Sequence, residues 1–184
     1  MGQIGGFDYP SEVTVSGPLA FVADQFAGLK IVDVSSPTTP VLVSSVPVFS
    51  LKINVGDSFA YVASGYGGVK IVDVSIPTTP TLRAQIPTEE FTRDAVAAGG
   101  IVFIADDDSF RISNAKNPDA LISMGQHLSI DGANNVATAA SIAFVTQATQ
   151  YPSNTTEIRI IDLSSPRSPV VKSSLDVPRF ANLL

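Results

Sequence analysis

Apolar and polar positions recur along this chain in blocks of about forty residues. Each block opens on a short alternating run: Glu12 to Ser16, Lys52 to Gly56, Asp94 to Ala98, Asn135 to Ala139. Period-two alternation of small and β-branched residues predicts a first strand. A second, more continuously apolar run follows, centred on Phe21, Tyr61, Phe103 and Phe144 at spacings of 40, 42 and 41 residues. Gly-rich or acidic turns then lead into Leu29-Lys30-Ile31-Val32-Asp33, which is restated nearly letter for letter at Val69 to Asp73 and more loosely at Phe110 to Asn114 and Ile158 to Asp162. Glycine and aspartate in those turns supply positive φ and local side-chain bonds, so each reads as a hairpin. A proline-bearing turn comes next, and a fourth strand after it: Val41 to Val46, Thr81 to Ile86, Ala120 to Met124, Val170 to Leu175.

Four strands in each of four units, with no helical apolar spacing, predict an all-β repeat protein. A unit of about 41 residues with four antiparallel strands has the size of one β-propeller blade. The blades are expected at about 11–47, 51–87, 93–127 and 134–178, in a single domain spanning 1–184. Blade strands are covered on both faces by their neighbours, which explains the continuous apolar character of Ala20 to Ala23 and Leu29 to Val32. Val177 to Leu184 aligns with Val46 to Ile53, so a further strand is expected to begin at 179–184, and the four blades are expected to be a fragment or subunit of a larger ring, the alternative being four blades that close alone.

Gly28-Leu29-Lys30-Ile31-Val32-Asp33-Val34-Ser35-Ser36-Pro37, preceded by Ala20-Phe21-Val22-Ala23-Asp24, resembles the LVIVD repeat family of β-propeller proteins. The second unit matches as closely, the fourth fairly well. The third departs from the pattern, with Ser113 and Asn114 in place of valine and aspartate. The resemblance implies propeller blades of bacterial or archaeal proteins, many exported or surface-attached, and implies no catalytic set.

Composition narrows the role. A net charge of −6, with 15% charged residues, supplies neither the phosphate-neutralising cations of nucleic-acid binding nor an attraction to anionic lipid. The most apolar run, Ala95 to Ala105, is too short for a membrane span and ends at three aspartates. The first residues lack a basic segment and an apolar one, so no signal peptide is read there. With no cysteine, disulfides, thiol nucleophiles and thiolate metal sites are excluded. His127, the single histidine, stands without a motif for zinc or for a catalytic triad.

Residues repeated in every unit are expected to serve the blade itself. Asp33, Asp73, Asn114 and Asp162 are read as Asx turns ending the third strand, and Lys30, Lys70, Arg111 and Arg159 as stems covering apolar blade surface. Asp106-Asp107-Asp108 lacks the spacing of a calcium loop and is read as a solvated turn. The best ligand-site candidates are the residues opening each innermost strand, Glu12, Lys52, Asp94 and Asn135, with Asn54, Arg93 and Asn134, because innermost strands line a propeller's channel. Tyr151 and Asn154, in the one turn lengthened in a single blade, come next. The expected role is a non-enzymatic binding or scaffold surface for a protein or glycan in an exported or cell-surface protein, joined to further blades or to itself. No cofactor is called for. The alternative is a metal-dependent hydrolase of the propeller type, with a divalent ion held by Glu12, Asp94, Asn54 and Asn135.

Overall fold

In the computed structural model, residues 2–124, 128–148 and 155–178 are described. The first sheet contains β1 (Pro10–Ser16), β2 (Leu19–Asp24), β3 (Gly28–Asp33) and β4 (Val41–Val46), paired antiparallel in chain order. The second repeats the arrangement with β5 (Lys52–Gly56), β6 (Phe59–Ala63), β7 (Val69–Asp73) and β8 (Thr81–Ile86). The third contains β9 (Thr92–Ala98), β10 (Ile101–Asp106) and β11 (Ser109–Asn114), whose outer edge is shared by β12 (Ile122–Ser123) and β13 (Leu128–Ser129). The fourth runs β14 (Ala133–Ala139), β15 (Ile142–Ala148), β16 (Thr155–Asp162) and β17 (Val170–Pro178). These are four propeller blades, and no helix is found among the described residues.

The expected fourth strand of the third blade, Ala120 to Met124, is corrected: only Ile122–Ser123 pairs there, and Leu128–Ser129 takes up the edge lower down. The Met124 amide still donates to the Ile112 carbonyl at 2.9 Å, so the strand's path is kept while its ladder is interrupted. His127 and the expected further strand at 179–184 lie outside the described residues.

Each blade buries one face against the next. Phe21, Ala23, Leu29 and Ile31 of the first blade pack with Ile53, Ala60, Val62 and Val72 of the second. Tyr61, Val69 and Ile71 then meet Ala95, Val102 and Ile104. Phe103, Phe110 and Ile112 meet Val136, Ala143, Val145 and Ile161. The repeated aromatic is therefore the centre of each interface, projecting from one blade into the apolar hollow of its successor. Strand alternation makes this possible, since odd positions of β2 and β3 face forward and even positions face back.

Close packing is enforced at the start of the third strand. Gly28 has φ +90°, and a Cβ there would lie 2.1 Å from the Val46 carbonyl oxygen; at Gly68, with φ +67°, the Ile86 carbonyl would be met at 2.2 Å. Only glycine fits either place. The third blade has Ser109 at this position, opposite Ser129 of its broken outer strand.

Candidate functional site

β1, β5, β9 and β14 form the inner edges of the sheets, and successive ones touch. Three of the four carry a bulge at the same place. Ser11, Arg93 and Asn134 are the extra residues, each immediately before Glu12, Asp94 or Asn135. A bulge re-aims the side chain beside it, and here the residues after the bulge reach across to the next blade. Glu12 accepts the Ile53 amide at 2.6 Å, and Asp94 accepts the Val136 amide at 3.0 Å. From the second blade, Asn54 Oδ1 accepts the Ala97 amide at 3.0 Å. Inner strands are thus stapled to one another by side chains.

Lys52 ties three blades together. Its ammonium lies 3.6 Å from Asp94 Oδ2 and donates to Asn135 Oδ1 in the fourth blade. Burial pushes the Asp94 carboxyl up from its ordinary range, with Lys52 and the Val136 and Ala95 amides opposing that shift. Glu12 is raised too, again through burial, against the Ile53 amide and the Lys52 charge. Asn135 donates both its backbone amide and its Nδ2 to Thr146 Oγ1, at 3.0 and 3.2 Å. The outcome is a polar cluster of mixed charge around one partly exposed ammonium. Such a group can orient a ligand's hydroxyl, carbonyl or carboxylate oxygens.

Of the expected site residues, Glu12, Lys52, Asp94 and Asn135 occupy one register position of the inner strands, and Asn54 lies two residues beyond Lys52. Arg93 points instead at Asp107, 2.5 Å away, and lies over the Phe91 ring. Tyr151 and Asn154 fall outside the described residues. Among the described residues no three His, Cys, Asp or Glu side chains gather as a cation cage. With Glu12, Asp94 and Asn54 each taken up by a backbone amide, the metal-dependent alternative finds no support.

The Asx turns expected at the ends of the third strands are formed. Asp33, Asp73, Asn114 and Asp162 each accept the amide two residues on, from Ser35, Ser75, Lys116 and Ser164, at 2.8 to 3.0 Å. The acidic turn differs from the solvated one expected. Asp106 is fully buried, held by Arg111 Nε at 2.6 Å and by the Ser109 hydroxyl at 2.6 Å, because it ends β10 beneath the turn; Asp107 pairs with Arg93 above it. Asp24, the matching residue of the first blade, is buried too and accepts the Asp8 and Tyr9 amides.

Two participants escaped the sequence reading. Ser11, the first bulge residue, donates to the Leu51 carbonyl at 2.7 Å and so crosses to the second blade. Thr146 stands where the other three units have Ala23, Ala63 and Ala105, and that departure from the repeat was the available signal.

Comparison with solved structures places the chain among propeller domains. It is similar to the N-terminal domain of Nup159, with 12% identity and a TM-score of 0.58 over 92% of this chain and 48% of that one. A functionally unknown protein from Desulfotomaculum acetoxidans aligns over 95% of this chain and 58% of that one, at 16% identity and a TM-score of 0.72. The computationally designed Ika4 protein aligns over 89% of this chain and 99% of its own length, at 11% identity and a TM-score of 0.66. The chain therefore spans about half the length of the Nup159 domain. Curated protein sequences yield no match. The model of the LVIVD repeat matches residues 9–48 and 50–88, the first two blades, so the chain is a four-bladed β-propeller module whose first half consists of two LVIVD repeats.

Proposed function

We propose that this chain is a non-enzymatic propeller module whose inner-strand mouth serves as a binding surface for a protein or glycan, in an exported or cell-surface bacterial protein. The observation that carries the reading is the convergence on Lys52: one cation, reached by Asp94 and Asn135 of two other blades, held where the inner strands meet. Convergent polar groups in a concavity fix a ligand's orientation, and this set offers donor and acceptor atoms side by side. The repeated Asp33, Asp73, Asn114 and Asp162 are occupied in turns, whereas the Lys52 side chain of the inner-strand set is 33% exposed and open to a ligand. No cofactor enters the reading, and the extracytoplasmic placement follows the resemblance to LVIVD-repeat proteins.

The test is an array of bacterial and host glycans, together with surface peptides, probed with the purified chain and with Lys52→Ala. A ligand bound by the wild type and weakened at least roughly tenfold by Lys52→Ala, about the effect of one lost charged hydrogen bond, supports the mouth. Equal binding by a folded Lys52→Ala protein sinks it.

A further inference from the structure

The forward face that is buried in three blades is bare in the fourth. Phe21, Tyr61 and Phe103 are each 5% exposed or less, whereas Phe144, at the same register position, is 37% exposed. Leu175 is 57% exposed, while its counterparts Val46 and Ile86 are buried. Ile142 is also open, and Ile158 and Ile160 are half-buried where the matching Leu29, Ile31, Val69 and Ile71 are sealed. At the other end of the chain's series of blades, Val13 is 59% exposed and Val15 is exposed too, although Ile53, Ala95 and Val136 at the position of Val13 are all buried. A groove of about 420 Å³ lies beside Val13, lined by Phe7, Pro10, Ser11, Glu12 and Val22 as well.

These two faces are complements. What covers Phe21, Tyr61 and Phe103 within the chain is the back face of a following blade; on the first blade's back face Ala20 and Val32 are already buried, but Val13 and Val15 of β1 stay open with no blade against them. We infer that a second copy of this chain supplies one: two chains associate head to tail, the fourth blade of each packing its forward face onto the first blade of the other, to close one eight-bladed ring with two identical junctions. The occupant is specified by continuity with the three internal interfaces, which already join such faces in the same register. The polar staple extends in step. As Glu12 takes the Ile53 amide and Asp94 the Val136 amide, Asn135 stands at the same register position, its Oδ1 accepting from Lys52 and keeping a second lone pair for the Val13 amide of the second copy. A single chain burying one of these faces leaves the other exposed, but a head-to-tail pair buries both, and heterologous contacts of this kind are stable when they close. The chain's alignment with only 58% of the Desulfotomaculum acetoxidans protein, over 95% of its own length, fits a sector of a larger ring. The inference stands whether or not the mouth binds a glycan.

Light scattering tests the mass, and cross-linking tests the orientation. The wild type is expected at twice 19.2 kDa, with a melting temperature that rises with concentration. Phe144→Asp and, separately, Leu175→Lys are expected to give folded monomers, the dissociation constant rising roughly thirtyfold or more at each junction, as for a central interface anchor. Because the chain has no cysteine, Val13→Cys and Phe144→Cys can be mixed and treated with a short bismaleimide. A cross-link between the two different variants, and none within either variant alone, supports the head-to-tail ring. A monomeric wild type, a Val13→Cys chain that links to its own kind, or a doubly substituted chain that links only to itself would each overturn it.

Discussion

Lys52 Nζ sits 3.6 Å from Asp94 Oδ2, so the second blade's one inner-strand cation neutralises a carboxylate that its own burial destabilises. Replacing Lys52 by methionine is expected to cost about 1–3 kcal/mol at pH 7, because Asp94 is left charged and unpaired. The loss should shrink with acid: the Asp94 pKa is raised, so its favourable protonated form is fully present below its unfolded value and is lost as pH rises through the folded one. Urea melts of the variant at pH 7 and pH 4 read this directly. Adding Asp94→Asn should restore most of the deficit, and failure to do so would mean that Lys52 acts by packing.

The turns after the third strands carry the opposite sign. Asp33 and Asp73 are lowered, mainly through the Ser35 and Ser75 side chains, and Asp162 is lowered to about 2, chiefly by the Ser164 amide with Ser164 Oγ and Lys172 adding to it. Their contribution is present above the unfolded value and disappears as pH falls through the folded one, which for Asp162 means between 3.8 and about 2. Asp162→Asn is expected to leave the neutral-pH melt nearly unchanged, since Asn114 shows that an amide oxygen makes the same turn. Its acid-unfolding midpoint should move to lower pH. An unchanged midpoint would assign acid sensitivity to other carboxylates.

Gly28→Ala and Gly68→Ala should each lose roughly 2–4 kcal/mol, combining a left-handed backbone with a carbonyl oxygen inside the new methyl's radius. Ser109→Ala, at the matching place in the third blade, adds no clash and should lose about 1.5–3 kcal/mol, the worth of its hydrogen bond to the buried Asp106 carboxylate. Thermal denaturation of the three variants side by side is the check.

Asp24 anchors the segment before β1 through the Asp8 and Tyr9 amides, at 2.9 and 2.6 Å. Asp24→Ala is expected to cost about 1–3 kcal/mol. Hydrogen exchange should speed up first at those two amides; protection that persists there would show the segment to be held by Phe7 and its apolar neighbours instead.

Much of this was written in the sequence because repetition exposes structure. The aromatic at Phe21, Tyr61, Phe103 and Phe144 gave the register, and the Asx turns could be read from Asp or Asn two residues before the amide they hold. The bulges at Ser11, Arg93 and Asn134 were not legible: adding one residue to a strand leaves its apolar period looking like a slightly early start. That omission hid the main property of the candidate site. Glu12 and Asp94 stand out by position in the sequence, but their bonds to the neighbouring blade depend on the bulge that turns them. Asp106 was misjudged for a related reason, since a run of three carboxylates reads as solvated until the strand end beneath it places one of them against Arg111.

The outer strands carry a second set of bulges whose meaning lies outside the ring altogether. Val43, Arg83 and Lys172 are extra residues at one place in β4, β8 and β17, and the third blade has no long outer strand to bulge. A straight, flat rim of unpaired amides and carbonyls would template the rim of any neighbouring molecule. Here each rim is kinked at mid-length, twice around a cation, or is only two residues long. The rims are poor seeds for fibrils, and pairing between molecules is not expected to begin at an outer strand even with every outer edge open to the solvent.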